Sequence, residues 1–307
     1  MNQAANERLL GIMTVLMAAI LWGTTGTAAT FAPEVSAVAI GAVAMGGGGL
    51  MQALLAARRI QRHAQLLRAQ WRWLALGAVA VAIYPLAFYA SMRLAGVTIG
   101  TVVSIGSAPL LAALIENRLD GLRLTARWMS GAVLGLAGML LLCLAEGNGH
   151  ASAETASGVI PGVLLGLLAG VSYALYSWTA RRLMQQGIAP RAAMGATFGI
   201  GGLMLLPVLM MTGAPLLASW SNASVGIYMA VVPMLLGYLC FGYGLARIAA
   251  STATTITLFE PVVAAGLAVV IVGERLPAIG WAGIVLILAC LVCISAPVKA
   301  KMSKAEA

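Results

Sequence analysis

Ten stretches of this chain are each long enough to cross a bilayer: 10–31, 36–57, 71–92, 97–115, 128–145, 159–180, 192–211, 225–246, 251–272 and 278–296. Inside them the charged side chains are Arg72, at the edge of the third, and Glu260, in the middle of the ninth. About 20 apolar residues suffice for a transmembrane helix, and no soluble core of this size could bury ten such runs. With 61% of its 307 residues hydrophobic and 9% charged, against about 25% charged in soluble domains, the chain reads as an all-α polytopic membrane protein of ten transmembrane helices. The net charge of +9 is spread over short connecting segments, where Lys and Arg report topology, so no nucleic-acid partner is expected. The first stretch exceeds the usual length of a signal-peptide apolar region and is read as a retained span. Cys143, Cys240, Cys290 and Cys293 all lie inside apolar runs and read as small core residues.

Basic residues settle the expected orientation, because cytoplasmic loops retain them. With the N-terminus inside, sixteen of the eighteen Lys and Arg residues fall on the cytoplasmic side, and Arg93 and Arg275 remain outside. Both termini are therefore expected in the cytoplasm.

The small, polar stretch 146–158 divides the spans into two sets of five. Pro109, Ala112-Ala113, Gly121, Arg123-Leu124 and Gly131 recur, at a constant shift of 152, as Pro261, Ala264-Ala265, Gly273, Arg275-Leu276 and Gly283. Upstream, Tyr84, Tyr89 and Arg93 recur as Tyr238, Tyr243 and Arg247 at a shift of 154. An odd number of crossings per half forces the second half to enter from the opposite face, so the expected fold is a 5+5 inverted-topology repeat. The organisation read from it is 1–145, first five-helix repeat; 146–158, linker; 159–297, second repeat; and 298–307, a basic cytoplasmic tail. Inverted repeats of this kind are the architecture of secondary transporters, with the site near the midplane between the repeats.

Candidate site residues follow. Glu260 sits at the expected midplane, where an ionised side chain is costly, and Pro261 beside it frees a backbone acceptor. It reads either as the site for a substrate ammonium or a proton, or as a structural acid bonded to the disrupted backbone. Thr252, Thr254, Thr255 and Thr257 add hydroxyls just upstream. Trp22, Tyr84, Tyr89, Tyr173, Tyr176, Trp178, Tyr238 and Tyr243 come from four spans that the repeat sets round one axis; Tyr84 and Tyr238 are mid-span, where an interfacial belt does not account for them. Trp71, Trp73, Trp128, Trp220, Tyr228 and Trp281 lie at span ends and read as belt residues. Glycines four apart at 158, 162, 166 and 170, and the run Gly46 to Gly49, read as surfaces for close helix approach, with dimerisation or hinging the alternatives.

Trp22-Gly23, Ala174-Leu175-Tyr176 followed by Arg181-Arg182, Glu260-Pro261 and Gly273-Glu274-Arg275-Leu276, on a five-plus-five repeat, together resemble the EamA-type transporters of the drug/metabolite transporter superfamily, from about Leu10 to Ala296. That resemblance implies a ten-helix inner-membrane permease, commonly an exporter of amino acids or other small metabolites, with a cavity lined by spans one, three, four, six, eight and nine and with spans five and ten at the side. The chain departs from the pattern in placing Ala108 and Leu122 where the second half has Glu260 and Glu274, and in lacking an arginine in the second span. These departures place it near the amino-acid exporters, including the aromatic amino-acid branch.

The expected function is thus a multi-pass exporter of the bacterial inner membrane, working by alternating access on a small molecule such as a large apolar or aromatic amino acid, with proton coupling an option. The expected substrate-binding residues are Glu260, Tyr84, Tyr238, Trp22, Tyr173, Tyr176, Tyr89, Tyr243 and Thr257. No cofactor, metal or catalytic residue is expected; membrane lipid is the surrounding partner, and the assembly is a monomer or weak homodimer. The alternative class is an intramembrane enzyme acting on a lipid substrate, which needs clustered carboxylates, histidines or a metal.

Overall fold

A computed structural model describes residues 3–147, 159–272 and 275–295. Residues 1–2, residues 148–158 of the linker, Gly273 and Glu274, and residues 296–307 with the basic tail lie outside the described residues. Among the described residues ten helical segments are long and apolar enough to cross a membrane: α1 (Gln3–Ala29), α2 (Ala37–Arg62), α3 (Trp71–Ala95), α4 (Ile99–Leu119), α5 (Ala126–Ala145), α6 (Val159–Gln185), α7 (Pro190–Thr212), α8 (Trp220–Leu245), α9 (Ala250–Ile271) and α10 (Ala278–Ser295). Several outrun their apolar cores at the arginine-rich end. α2 continues through Arg58, Arg59 and Arg62, α4 reaches Leu119 instead of stopping at Ile115, and α6 carries Arg181 and Arg182 within its last turns. Long basic side chains can extend beyond the hydrocarbon, so a helix need not stop where its apolar residues do.

Contacts between segments repeat under exchange of the two halves. α3 packs on α6 as α8 packs on α1, α4 on α6 as α9 on α1, while α2–α7, α4–α9 and α5–α10 are self-related pairs. The inversion is visible at Arg93 and Arg247. Arg247, at the foot of α8, bonds Glu7 in the first turns of α1 at 2.7 Å. Its repeat mate Arg93 ends α3 at the other end of the molecule, where Ser91 donates to the Gly162 carbonyl at the start of α6. The end carrying Glu7, Arg58 and Arg181 is called the basic face below, and the end carrying Arg93 the opposite face.

Close approach rests on small residues. A Cβ on Gly162 would stand 2.6 Å from Ala95, one on Gly166 2.8 Å from the Ser91 hydroxyl, and one on Gly170 would overlap Ser107. The Gly46 to Gly49 run serves the same purpose between α2, α7 and α8. Gly49 lies against the Phe198 carbonyl and Gly48 against Met234, and Gly202 of α7 faces the Gly46 carbonyl. The backbone is locally widened to a π-helical path over Val43–Gly47 in α2 and Ala230–Gly237 in α8. In α8 this segment contains Pro233, whose missing N–H leaves a carbonyl one turn earlier unpaired in the helix.

The two related prolines behave differently. Pro109 sits inside an uninterrupted helix, whereas α9 tightens to a 3₁₀ turn over Thr257–Phe259 and restarts at Glu260–Leu267 with Pro261 in its first turn. A proline is tolerated at the start of a helical segment because its absent N–H has no partner there. The interruption thus falls immediately before Glu260.

Candidate functional site

Where the halves meet, α1, α3, α6, α7 and α8 bring together the rings of Trp22, Tyr84, Tyr173, Tyr176, Phe198, Tyr238 and Phe241. Ring centroids are 4.7 Å apart for Trp22–Tyr238, 5.2 Å for Tyr173–Tyr176, 5.6 Å for Tyr84–Tyr173 and 4.3 Å for Phe198–Tyr238. Trp22, Tyr173, Tyr176 and Tyr238 are buried, so their polar atoms need partners. The Trp22 indole N–H donates to the Pro233 carbonyl at 2.8 Å, and Gly237 leaves the room its ring requires. The Tyr176 and Tyr238 hydroxyls, on α6 and α8 of the second repeat, share a hydrogen bond of 2.9 Å. Tyr173 bonds Thr257 at 2.8 Å, and since the Thr257 hydroxyl proton is directed to the Thr254 carbonyl, Tyr173 is the donor. These bonds fix the rotamers of the cluster and join α6 to the 3₁₀ turn of α9.

Glu260 stands beside this cluster, within electrostatic reach of Tyr84, Tyr89, Tyr173 and Tyr238. Its backbone carbonyl touches the face of α1 at Gly23, where a Cβ would come within 2.8 Å. Glu260, Tyr84 and Tyr89 are half-buried, unlike the fully enclosed rings of Tyr173, Tyr176 and Tyr238. Glu260 makes no side-chain hydrogen bond or ion pair among the described residues; in particular it does not bond the backbone interrupted at Pro261. A carboxylate held this deep among aromatic faces can attract an ammonium group, with the rings adding cation–π attraction and area for an apolar side chain.

Toward the opposite face a cavity of about 470 Å³ opens between α1, α8 and α9, lined by Thr24, Thr27, Phe31, Ser224, Tyr228 and Leu267 among others. Tyr228 donates to the Thr24 hydroxyl across its wall at 2.8 Å. Tyr228 thus lines this cleft, close to the end of its span. The basic face is shut instead. Asp120 accepts from the Trp178 indole at 2.7 Å and from Arg182 at 3.0 Å, and the Arg182 guanidinium lies 4.9 Å from the Trp73 ring and 5.3 Å from that of Trp178.

Of the nine residues expected to bind substrate, Glu260, Tyr84, Tyr89, Tyr173, Tyr176, Tyr238, Trp22 and Thr257 converge on one region, and Tyr243 lies at its margin. Tyr243 is 42% exposed, with Arg247 3.5 Å above its ring, and it shares with Tyr238 and Met194 the wall of a small cavity of about 70 Å³. Trp178 and Trp73 also leave their expected places, to form the basic-face closure. Phe198 of α7 and Phe241 of α8 were not foreseen as site residues, although Phe241 lies three residues beyond Tyr238, on the same helix face. Glu116 was missed as well. It sits one residue past the expected end of its span, where an acid reads as solvated, yet it is 2% exposed.

The EamA-like transporter family model matches the chain twice, over residues 9–144 and 160–296. The chain therefore belongs to the EamA-like transporter family, and it is a multi-pass membrane transporter of the drug/metabolite type with two copies of the five-helix unit. An uncharacterized transporter of Bacillus subtilis, YwfM, is 34% identical over 293 residues, covering 95% of this chain and 96% of that protein. A probable terminal-alkyne amino-acid exporter of Streptantibioticus cattleyicolor is 28% identical over 60% of this chain and 61% of its own length. The threonine/homoserine exporter RhtA of Salmonella typhimurium is 28% identical over 62% of this chain and 60% of its own. One crystal structure shares the fold with a TM-score of 0.75 at 21% identity, covering 92% of this chain and 95% of that one.

Proposed function

We propose that the protein exports amino acids, large apolar or aromatic ones among them, or related small metabolites across a bacterial inner membrane by alternating access. The observation that carries this reading is Glu260. It is a half-buried carboxylate at an interrupted helix, beside an aromatic cluster, with no side-chain bond among the described residues. In this reading the α-ammonium of the substrate meets Glu260, and Tyr84, Tyr89, Tyr173, Tyr176, Tyr238 and Trp22 receive its side chain, with Thr257 orienting Tyr173. The names of two relatives as amino-acid exporters support the substrate class. The concentration of arginine on one face supports cytoplasmic termini, by the positive-inside rule. The protein acts as a monomer or weak homodimer and takes no cofactor. Catalysis on a lipid has less support, because Glu116 and Asp120 are already engaged in bonds at the basic face, away from Glu260.

Counterflow in proteoliposomes against a panel of amino acids, with and without a pH gradient, tests substrate and proton coupling together. Exchange of large apolar amino acids is expected, with loss of most of it in Glu260→Gln. Normal exchange by a correctly inserted Glu260→Gln protein removes Glu260 from the mechanism, and hydrolysis of a lipid substrate by the purified protein replaces the transport reading.

A further inference from the structure

The basic end of the bundle holds a second buried carboxylate that substrate recognition does not use. Glu116, near the end of α4, is 2% exposed, and its side-chain bonds all run to the second half of the molecule. It accepts from the Ala250 N–H at 2.7 Å, the Ser251 N–H at 3.0 Å and the Ser251 hydroxyl at 2.5 Å, all at the start of α9. The Arg181 guanidinium of α6 stands 3.7 Å away, and the same arginine donates to the carbonyls of Leu245 at 3.3 Å and Ile248 at 2.7 Å, where α8 ends. One side chain from the first repeat thus joins α4 to α9 and α6, and through Arg181 to α8. The pairing is chemically well matched. The first N–H groups of a helix lack partners within it and carry the positive end of its dipole, so a carboxylate satisfies both needs. The match also makes the contact two-state. α4 cannot move slightly away from α9, because a buried charge stripped of one partner is strongly unfavourable.

The repeat supplies an internal comparison. At the shift of 152, the residue of α9 equivalent to Glu116 is Ala268, one residue from Leu267 in the wall of the opposite-face cavity. The lining there is hydroxyl-bearing and apolar, without a charge, and that end stands open by about 470 Å³. Related helices therefore close one end, where the acid is, and part at the other, where it is not.

The geometry points to Glu116, with Arg181 and the start of α9, as the latch of a gate on the basic face, bonded in the state seen here and separated when that face opens. This rests on the alternating-access reading of the fold. Glu116 is a positioning residue with no part in holding the substrate: it sets how much of the resting population is open to the opposite face, and loading from the basic face requires the latch to part.

The test reads conformation without substrate, by maleimide labelling of single cysteines in protein whose four native cysteines are replaced. Thr27→Cys reports on the opposite-face cavity. Thr254→Cys, fully buried on α9, reports on the basic face. With Glu116 intact, Thr27→Cys labels and Thr254→Cys does not. Glu116→Gln and Arg181→Gln are each expected to raise labelling of Thr254→Cys by about tenfold, the shift that loss of a modest differential contact produces, and to lower that of Thr27→Cys. Ser251→Ala, which removes one donor and keeps both N–H groups, gives a smaller change in the same direction. Unchanged labelling in Glu116→Gln and Arg181→Gln overturns the latch, and if neither folds, unchanged labelling in Ser251→Ala overturns it. Changed labelling in a protein that exchanges no amino acid upholds the latch and removes the substrate assignment. Normal exchange with unchanged labelling removes the latch alone.

Discussion

The two ends of the central bundle are assembled from helices related by the repeat, and they have been given different chemistry. At the basic face, α3, α4, α6 and the start of α9 meet through Glu116, Asp120, Arg181, Arg182, Trp73 and Trp178, a set in which charges are paired, the Trp178 indole donates and the two indoles pack edge to face. At the opposite face, α1, α8 and α9 meet through Thr24, Thr27, Phe31, Tyr228 and Leu267, with neutral hydroxyl bonds from Tyr228 to Thr24 and from Ser221 to the Phe31 carbonyl, and leave a cavity. Sequence duplication supplies two equivalent frames, and symmetric frames alone give no preference for one access state over the other. The preference has to come from residues that differ between the halves. Ionic contacts suit this purpose because they are strong when complete and costly when half made, whereas a hydroxyl pair between membrane helices is worth only about 0.6 kcal/mol.

That contrast can be broken from either end. The largest effect is expected from Glu116→Ala, which leaves Arg181 and two N–H groups of α9 without their acceptor. A stability loss of about 3–5 kcal/mol is expected, read from denaturant titration of the detergent-solubilised protein. Next comes Gly23→Val at the α1–α9 contact, where a Cβ would stand 2.5 Å from that of Val263. Overpacking there should cost about 1–3 kcal/mol and shift Thr27→Cys labelling, because α1 must be displaced from α9; an unchanged midpoint and labelling rate show that the contact gives way freely. Asp120→Asn keeps an acceptor for the Trp178 indole but removes the charge facing Arg182. With both partners partly exposed, the expected loss is about 1 kcal/mol or less, and it should shrink in high salt. The smallest change is Tyr228→Phe, at about 0.6 kcal/mol. A loss there as large as that of Glu116→Ala contradicts the view that only the basic face is held by strong contacts.

Much of the fold was legible because its determinants are local or periodic. Apolar runs of about 20 residues declare themselves wherever their neighbours lie, so all ten spans were placed. The duplicated Pro109 and Pro261 blocks revealed the repeat, and the odd count per half dictated its inversion. Glu260 was legible for the same reason, since an acid in the middle of an apolar run stands out against its flanks. Glu116 was not. It lies at the polar margin of α4, where the residues on either side give no sign of burial, and the groups that bury it are Ser251, 135 positions away, and Arg181. Tyr243 shows another limit. The repeat ties it to Tyr89, but Tyr89 packs against α2 at Gly41, while Tyr243 is 42% exposed under Arg247 and meets Tyr238 only across a small cavity, because equivalence in sequence does not fix the side of the helix that a neighbour covers.

Residue order alone established a membrane protein of ten helices in two inverted halves, with an acid in the middle of its ninth apolar run, because hydrophobic length and internal duplication depend on composition along the chain. Tertiary structure decided which of two similar ends is held by charged contacts, and that Glu116 is fully engaged while Glu260 has no side-chain bond among the described residues. Those outcomes depend on where helix termini and guanidinium groups from distant segments come to rest. The free energy of a charge in a membrane protein is set by its immediate partners and the water excluded around it, and neither is written in its sequence neighbours.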